Sequence, residues 1–178
     1  MPIAITVKAD GESPIMALLE HLVGYDKKAM FDEIGSYGVS STQKRFVDQS
    51  DVDGNPWKQS WRAKLQNGQT LRDTGRLMNS MTHNVLNNGV EWGTDVIYAA
   101  IHNFGGTIRH EPRVRQTYFK QGRDGTVGNK FVKKSKSNFM QETMGKAYFV
   151  EMPERSFLGI NSEDDESILN IIGRHLSG

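Results

Sequence analysis

The sequence predicts an α+β fold, an antiparallel sheet packed with helices and carrying a long basic loop or arm insertion. Three observations predict it. Ile3, Ile5 and Val7 alternate with Ala4, Thr6 and Lys8 in the two-residue period of a half-buried strand. Asn88-Gly89, set between Val85 and the Val90 and Trp92 pair, signals a hairpin, since Asn-Gly accepts the positive φ angles of a type I′ turn. Capped apolar runs of helical period occur on both sides of these strands.

The elements follow in order. After the first strand, Ser13 and Pro14 open a helix that lines up Ile15, Leu18, Leu19 and Leu22 and closes at Gly24. A second helix is expected from about Lys28 to Asp48. There Phe31, Ile34 and Phe46 run beside a flank of small residues, Gly35, Gly38, Ser41 and Thr42. Helix glycines cost about 1 kcal/mol each, so this flank predicts close packing. Asp51-Val52-Asp53-Gly54-Asn55-Pro56-Trp57 has turn composition and superficial likeness to a calcium loop, but the twelfth position holds Arg62 where an EF-hand needs glutamate. It reads as a structural turn, with Trp57 and Trp61 as hydrophobic pegs.

Leu71 to Ser80 predicts a short helix capped by Asp73 or Thr74, burying Leu77, Met78 and Met81. The hairpin follows, and Gly93-Thr94-Asp95 then caps a helical run from Val96 to Phe104 that Gly105-Gly106 terminates. Thr107, Ile108 and Arg109 start another strand. From Arg113 to Lys146 nine basic residues face only Asp124 and Glu142, with much Gly, Ser, Asn and Gln and no sustained apolar period. That segment is expected to be a mobile arm or loop. Tyr148 to Val150 returns to strand character. The segment Pro153 to Ile160 is expected to form an anchoring corner, an exposed proline-arginine turn feeding a buried Phe157-Leu158 pair. Ser162 is expected to cap a last helix with Glu163, Asp164 and Asp165 at its positive end and Ile168, Leu169, Ile171, Ile172 and Leu176 on its buried side.

Composition bounds the function. With 178 residues, 37% hydrophobic and 24% charged, the chain suits one domain spanning 1–178, with 113–146 as a basic insertion. A net charge of +1 argues against a polycation overall, so any charge must be segregated. The absence of cysteine excludes a disulfide scaffold, a cysteine-ligated zinc site and a thiol nucleophile, and suits a reducing cytoplasm. No signal peptide and no run near the roughly 20 apolar residues of a membrane helix is present, so a soluble protein is expected.

The catalytic signals are weak. His102-Asn103 and His110-Glu111 could in principle serve a metal-dependent nuclease, but His102 lies in an apolar run where packing or helix capping is the preferred reading. Ser40, Ser41, Ser80 and Ser156 lack a nucleophile elbow. The glycine pairs around Arg123 and Asn129 lack the framing of a phosphate loop. No catalytic residue, cofactor or metal ligand is expected. The basic arm, with Tyr118, Phe119, Phe131 and Phe139 as stacking or packing groups, could meet nucleic acid phosphates or an acidic neighbouring subunit. A DNA-binding or DNA-processing protein is therefore the alternative reading.

Three motifs in order carry a resemblance. They are Leu71-x-x-Thr74-Gly75-Arg76-Leu77-x-x-Ser80; then Trp92-Gly93-Thr94 leading to Tyr98-Ala99-x-x-His102-x-Phe104-Gly105; then Pro153-x-Arg155-x-Phe157-Leu158-Gly159. From about Thr42 to Leu176 the chain resembles the phage virion morphogenesis family, which comprises the Mu-like G proteins and is similar to the S tail completion proteins of P2-like phages and to siphophage head-tail joining proteins. The Lys133 to Phe139 segment resembles the Mu-like subgroup.

The resemblance implies a non-enzymatic virion subunit of the head-tail neck, assembled in the host cytoplasm. It implies a ring, commonly sixfold, that meets neck, portal-side and tail proteins and passes genomic DNA through its lumen. Arg113, Arg115, Lys120, Arg123, Lys130, Lys133, Lys134 and Lys136 are then the candidates for subunit contact or for the DNA lumen. In the corner, Phe157 and Leu158 are expected to plug the core while Arg155 binds backbone carbonyls or a carboxylate. Thr74 and Arg76 are expected to organise the loop before the hairpin, and Tyr98, His102 and Phe104 to pack their helix against the sheet.

Overall fold

The computed structural model describes residues 3–8 and 26–177, so the helix expected from Ser13 to Gly24 lies outside the described residues. The fold is α+β with antiparallel strand pairing. It divides into two compact units, one running to Gly106 and resuming at Pro153, the other Thr107–Met152.

In the first unit, β1 (Ile3–Lys8), β2 (Thr82–Leu86) and β3 (Gly89–Thr94) form a sheet of order β1-β3-β2. The register sets Ile5 opposite Trp92 and Val85 opposite Val90, which puts these four apolar side chains on one face. Helix α1 (Lys27–Asp48) lies on that face. Asp26 caps it, its Oδ1 accepting from the amides of Lys28 at 2.9 Å and Ala29 at 3.1 Å. The small-residue flank has the packing purpose expected of it. A methyl group on Gly35 would sit 2.7 Å from Val90 Cγ2, and one on Gly38 would overlap the Trp92 indole.

Met30, Phe31, Ile34, Val90 and Trp92 form the core beneath α1, closed by Ile168 and Ile171 of α5 (Ser162–Ser177). A second cluster gathers Phe46 of α1 with Trp57, Leu77, Met81, Val96, Ala99 and Phe157 from the segments that connect the main elements. These include α2 (Trp61–Gln66), α3 (Arg76–Asn79) and α4 (Ala99–Phe104). At the far end of α5, Arg174 and His175 both engage the Glu33 carboxylate of α1, at 2.5 and 2.8 Å.

Several expectations change. The hairpin loop is Asn87-Asn88, since Leu86 pairs with Gly89, and none of Asn87, Asn88 or Gly89 has a positive φ, so no type I′ turn forms. Thr94 belongs to β3, and its Oγ1 accepts from the Val96 amide at 3.1 Å, so helix α4 begins only at Ala99. Trp57 is buried, but Trp61 is 77% exposed and is no peg. Leu169 is likewise exposed on α5. The α5 cap is Asn161 rather than Ser162: Asn161 Oδ1 accepts from the Asp164 amide at 2.9 Å while Asp164 Oδ2 accepts from the Asn161 amide at 3.0 Å. This is a reciprocal capping box.

The second unit contains two-stranded ladders. Strand β4 (Gly106–His110) pairs with β7 (Tyr148–Met152), and β5 (Val114–Phe119) pairs antiparallel with β6 (Phe139–Met144). The basic segment expected to be a mobile arm or loop is therefore a β-ribbon at its base, with residues 120–138 forming the connection between the two strands. Its far end is ordered too. Asn138 brackets Gln121, donating to its carbonyl at 2.9 Å and accepting from its amide at 2.7 Å, and Lys134–Lys136 form a 3₁₀ turn. The sequence shows no apolar period there because Thr107–Met152 contains no buried residue.

Candidate functional site

The segment Pro153 to Ile160 is held from three sides by polar groups, which is how a stretch without regular structure satisfies its backbone. Asn103, buried on α4, directs Oδ1 at two amides, accepting from Phe157 and Leu158, each at 3.0 Å. The His102 carbonyl accepts from the Arg155 amide at 2.9 Å. From α1, Arg45 donates through Nη1 to the carbonyls of Phe157 at 2.9 Å and Gly159 at 2.8 Å, and through Nη2 to Asp164 Oδ2. Asp164 Oδ1 accepts further bonds from Ser41 Oγ at 2.5 Å and Tyr37 OH at 3.0 Å. One buried ion pair thus joins α1, the corner and the first turn of α5.

Phe157 is fully buried, its ring 4.9 Å from that of Phe46, and Leu158 packs against both core clusters, so the pair plugs the core. Arg155 binds a backbone carbonyl as expected, donating Nε to the Lys58 oxygen at 2.9 Å. It is not the exposed turn residue the sequence suggested, being only 4% exposed. Burial lowers the pKa of its guanidinium from the usual value. Pro153 and Gly159 are partly buried.

The His102 ring is half-buried beside Arg155. Burial first, and the Arg155 charge second, hold its pKa below the ordinary imidazole value. Its Nδ1 is buried and has no hydrogen-bond partner among the described residues. Tyr98 meets the ring edge-on at 6.0 Å, but Tyr98 is 41% and Phe104 65% exposed, so they do not pack the helix on the sheet. A helix starting at Ala99 turns Ala99 and Asn103, four residues apart, inward instead. Gly105 follows α4 with φ 67°. The N-cap of α3 is Gly75, with φ 76°, rather than Asp73 or Thr74; Thr74 Oγ1 accepts from the Arg76 amide at 3.3 Å in the loop before it, while the Arg76 side chain stays exposed.

The candidate cations all lie in the second unit. Arg115 is on β5, Arg113 and Lys120 flank that strand, and Arg123, Lys130, Lys133, Lys134 and Lys136 follow toward β6; all eight are exposed. Among the described residues none of the eight forms an ion pair, and Lys134 Nζ lies 5.9 Å from the centroid of the Tyr118 ring. His110 stacks on Tyr148 at 4.6 Å. Among the described residues no group of three or more His, Cys, Asp or Glu could hold a metal ion, and no helix is long and apolar enough to cross a membrane.

The fastening roles of Arg45, Asp164 and Asn103 are not expected from the sequence, although Asp164 is placed at the positive end of the last helix. Arg45 had a signal: it follows Ile34, Gly38 and Thr42 on the inward face of α1, where a charge demands a buried partner. For Asp164 the signal was the Asn161-x-x-Asp164 spacing of a capping box.

In the first unit the conspicuous polar groups, Arg45, Asn103 and Asp164, are spent on holding backbone, and the second unit carries the exposed candidate cations. The model of the phage virion morphogenesis family matches residues 12–177, and the chain belongs to that family. Over 70 residues it is 41% identical to Mu-like prophage FluMu G protein 2 of Haemophilus influenzae, an alignment covering 38% of this chain and 49% of that protein. The aligned part thus spans about half the length of that curated relative. No solved structure matches the chain. Its role is in phage virion morphogenesis.

Proposed function

We propose that this protein is a structural, non-catalytic subunit of the phage neck, a head-tail connector or tail completion protein that forms a homo-oligomeric ring, a hexamer, through which genomic DNA passes. The observation that carries the reading is the second unit. Thr107–Met152 has ten basic and four acidic residues and no buried residue, so it has neither the composition nor the core of a self-sufficient domain. A unit of that kind suits an assembly part that is completed by its neighbours. Partners of this reading are further copies of the chain, the adjoining neck, portal-side and tail proteins, and DNA in the lumen.

Electron microscopy of particles assembled without the protein tests it. Filled heads and finished tails should accumulate unjoined, and normally joined virions would overturn the reading. Changing Lys133, Lys134 and Lys136 to Glu divides the roles of the cations. Weaker, salt-sensitive DNA retention with an intact ring places them at the lumen, and loss of the ring places them between subunits.

A further inference from the structure

We infer that one face of the β5–β6 ladder is the contact by which each subunit docks on the body of a second copy of this chain. The inference rests on the ring reading and assigns it a surface. The ladder register sets Val114 opposite Met144, Gln116 opposite Glu142 and Tyr118 opposite Met140. Side chains alternate across a strand, so these six share one face, while Arg115, Thr117 and Phe119 lie on the other with Thr143, Gln141 and Phe139.

The first face is apolar at both ends and exposed: Val114 is 58%, Met140 45% and Met144 74% accessible. Between the two apolar pairs, Gln116 Nε2 donates to Glu142 Oε1 at 2.7 Å and Tyr118 OH donates to Gln116 Oε1 at 2.8 Å. The polar groups in the middle therefore satisfy one another, and covering the face leaves few of them stranded. An isolated two-stranded ribbon is marginally stable in water, and nothing in Thr107–Met152 is buried. Covering this face supplies the missing burial.

Charge selects the occupant. The second unit carries a net +6 from ten basic and four acidic residues, which leaves twelve basic and seventeen acidic residues, net −5, in the rest of the chain. Ribbon against ribbon repels, whereas ribbon against the body of another copy attracts. Exposed Glu163, Asp165 and Glu166 at the start of α5 are part of that acidic body. DNA suits the face poorly: the one ionised group among its six side chains is the Glu142 carboxylate, and of the candidate cations Lys134 approaches it, over the Tyr118 ring at one end.

The test uses the full chain in sedimentation velocity and crosslinking. The pair Met140→Glu with Met144→Glu should weaken self-association roughly tenfold or more with an unchanged near-ultraviolet spectrum of the body. Thr117→Glu with Gln141→Glu, on the opposite face, should leave assembly intact. Because the chain has no cysteine, Met140→Cys gives one attachment point for a photocrosslinker, and it should link to the body of another copy in mixtures of isotopically heavy and light protein. If the ring forms and the Met140 and Met144 variant assembles normally, the docking inference fails while the ring reading stands. Crosslinks confined to one chain, or protection of the probe only by added DNA, also overturn the inference. A native chain that stays monomeric removes the ring reading and the inference together.

Discussion

Arg45 and Asp164 form a buried ion pair between the last turns of α1 and the first turn of α5, and the same guanidinium holds the carbonyls of Phe157 and Gly159. Neither charge has water to fall back on, with side chains 7% and 6% exposed. A buried pair adds little over apolar residues of equal volume, but stranding one partner is expensive. Asp164→Ala is therefore expected to lower stability by about 3–5 kcal/mol. In urea titrations, Arg45→Met with Asp164→Ala should cost less than the sum of the singles, and strict additivity would contradict the coupling.

Asn103 is the second fastener. Asn103→Ala removes the acceptor for two amides, those of Phe157 and Leu158. An unsatisfied buried donor costs about 1–3 kcal/mol, and a loss of at least that size is expected in the same titrations. Amide exchange at Phe157 and Leu158 should accelerate more than exchange in β3, and uniform acceleration would refute a local anchor.

The glycines of α1 give a prediction with opposed terms. Gly38→Ala gains about 1 kcal/mol of helix propensity but drives a methyl into the Trp92 indole. Overpacking of a tight interface costs roughly 1–3 kcal/mol, so a net loss is expected. A raised melting temperature for Gly38→Ala would show that the sheet yields.

His102 makes stability depend on pH. Its folded pKa is depressed by burial and by Arg155, so the unfolded chain binds its proton first as acidity rises. The stabilising contribution is complete above the unfolded value near 6.5 and is lost as pH falls through the lower folded value. His102→Gln should flatten the stability profile in that acid window and leave it parallel to the native one above it. An unchanged acid slope would exclude His102 as the group responsible.

How much of this was legible depended on whether a residue acts locally. The alternation of Ile3 and Ile5 with Ala4 and Thr6, the small flank of Gly35 and Gly38, and the Phe157-Leu158 plug were readable because burial pattern is written in spacing. Arg45, Asp164 and Asn103 were not, since each works on backbone or charge more than fifty residues away. The β5–β6 ladder escaped for a different reason: its strands bury nothing within the chain, so they leave no hydrophobic period to read. Tyr98 and Phe104 misled because they flank an inward face made by the smaller Ala99 and Asn103.

Strands β4 and β7 are hydrogen-bonded neighbours, so the polypeptide leaves for its basic excursion and comes back from it side by side. Neither hydrophobic cluster takes a residue from that excursion. It can consequently be shortened, grafted or exchanged for another at its paired stem with the rest of the fold undisturbed. Under the docking proposal, exchanging the excursion would change the contact made with a neighbouring copy and leave both clusters as they are.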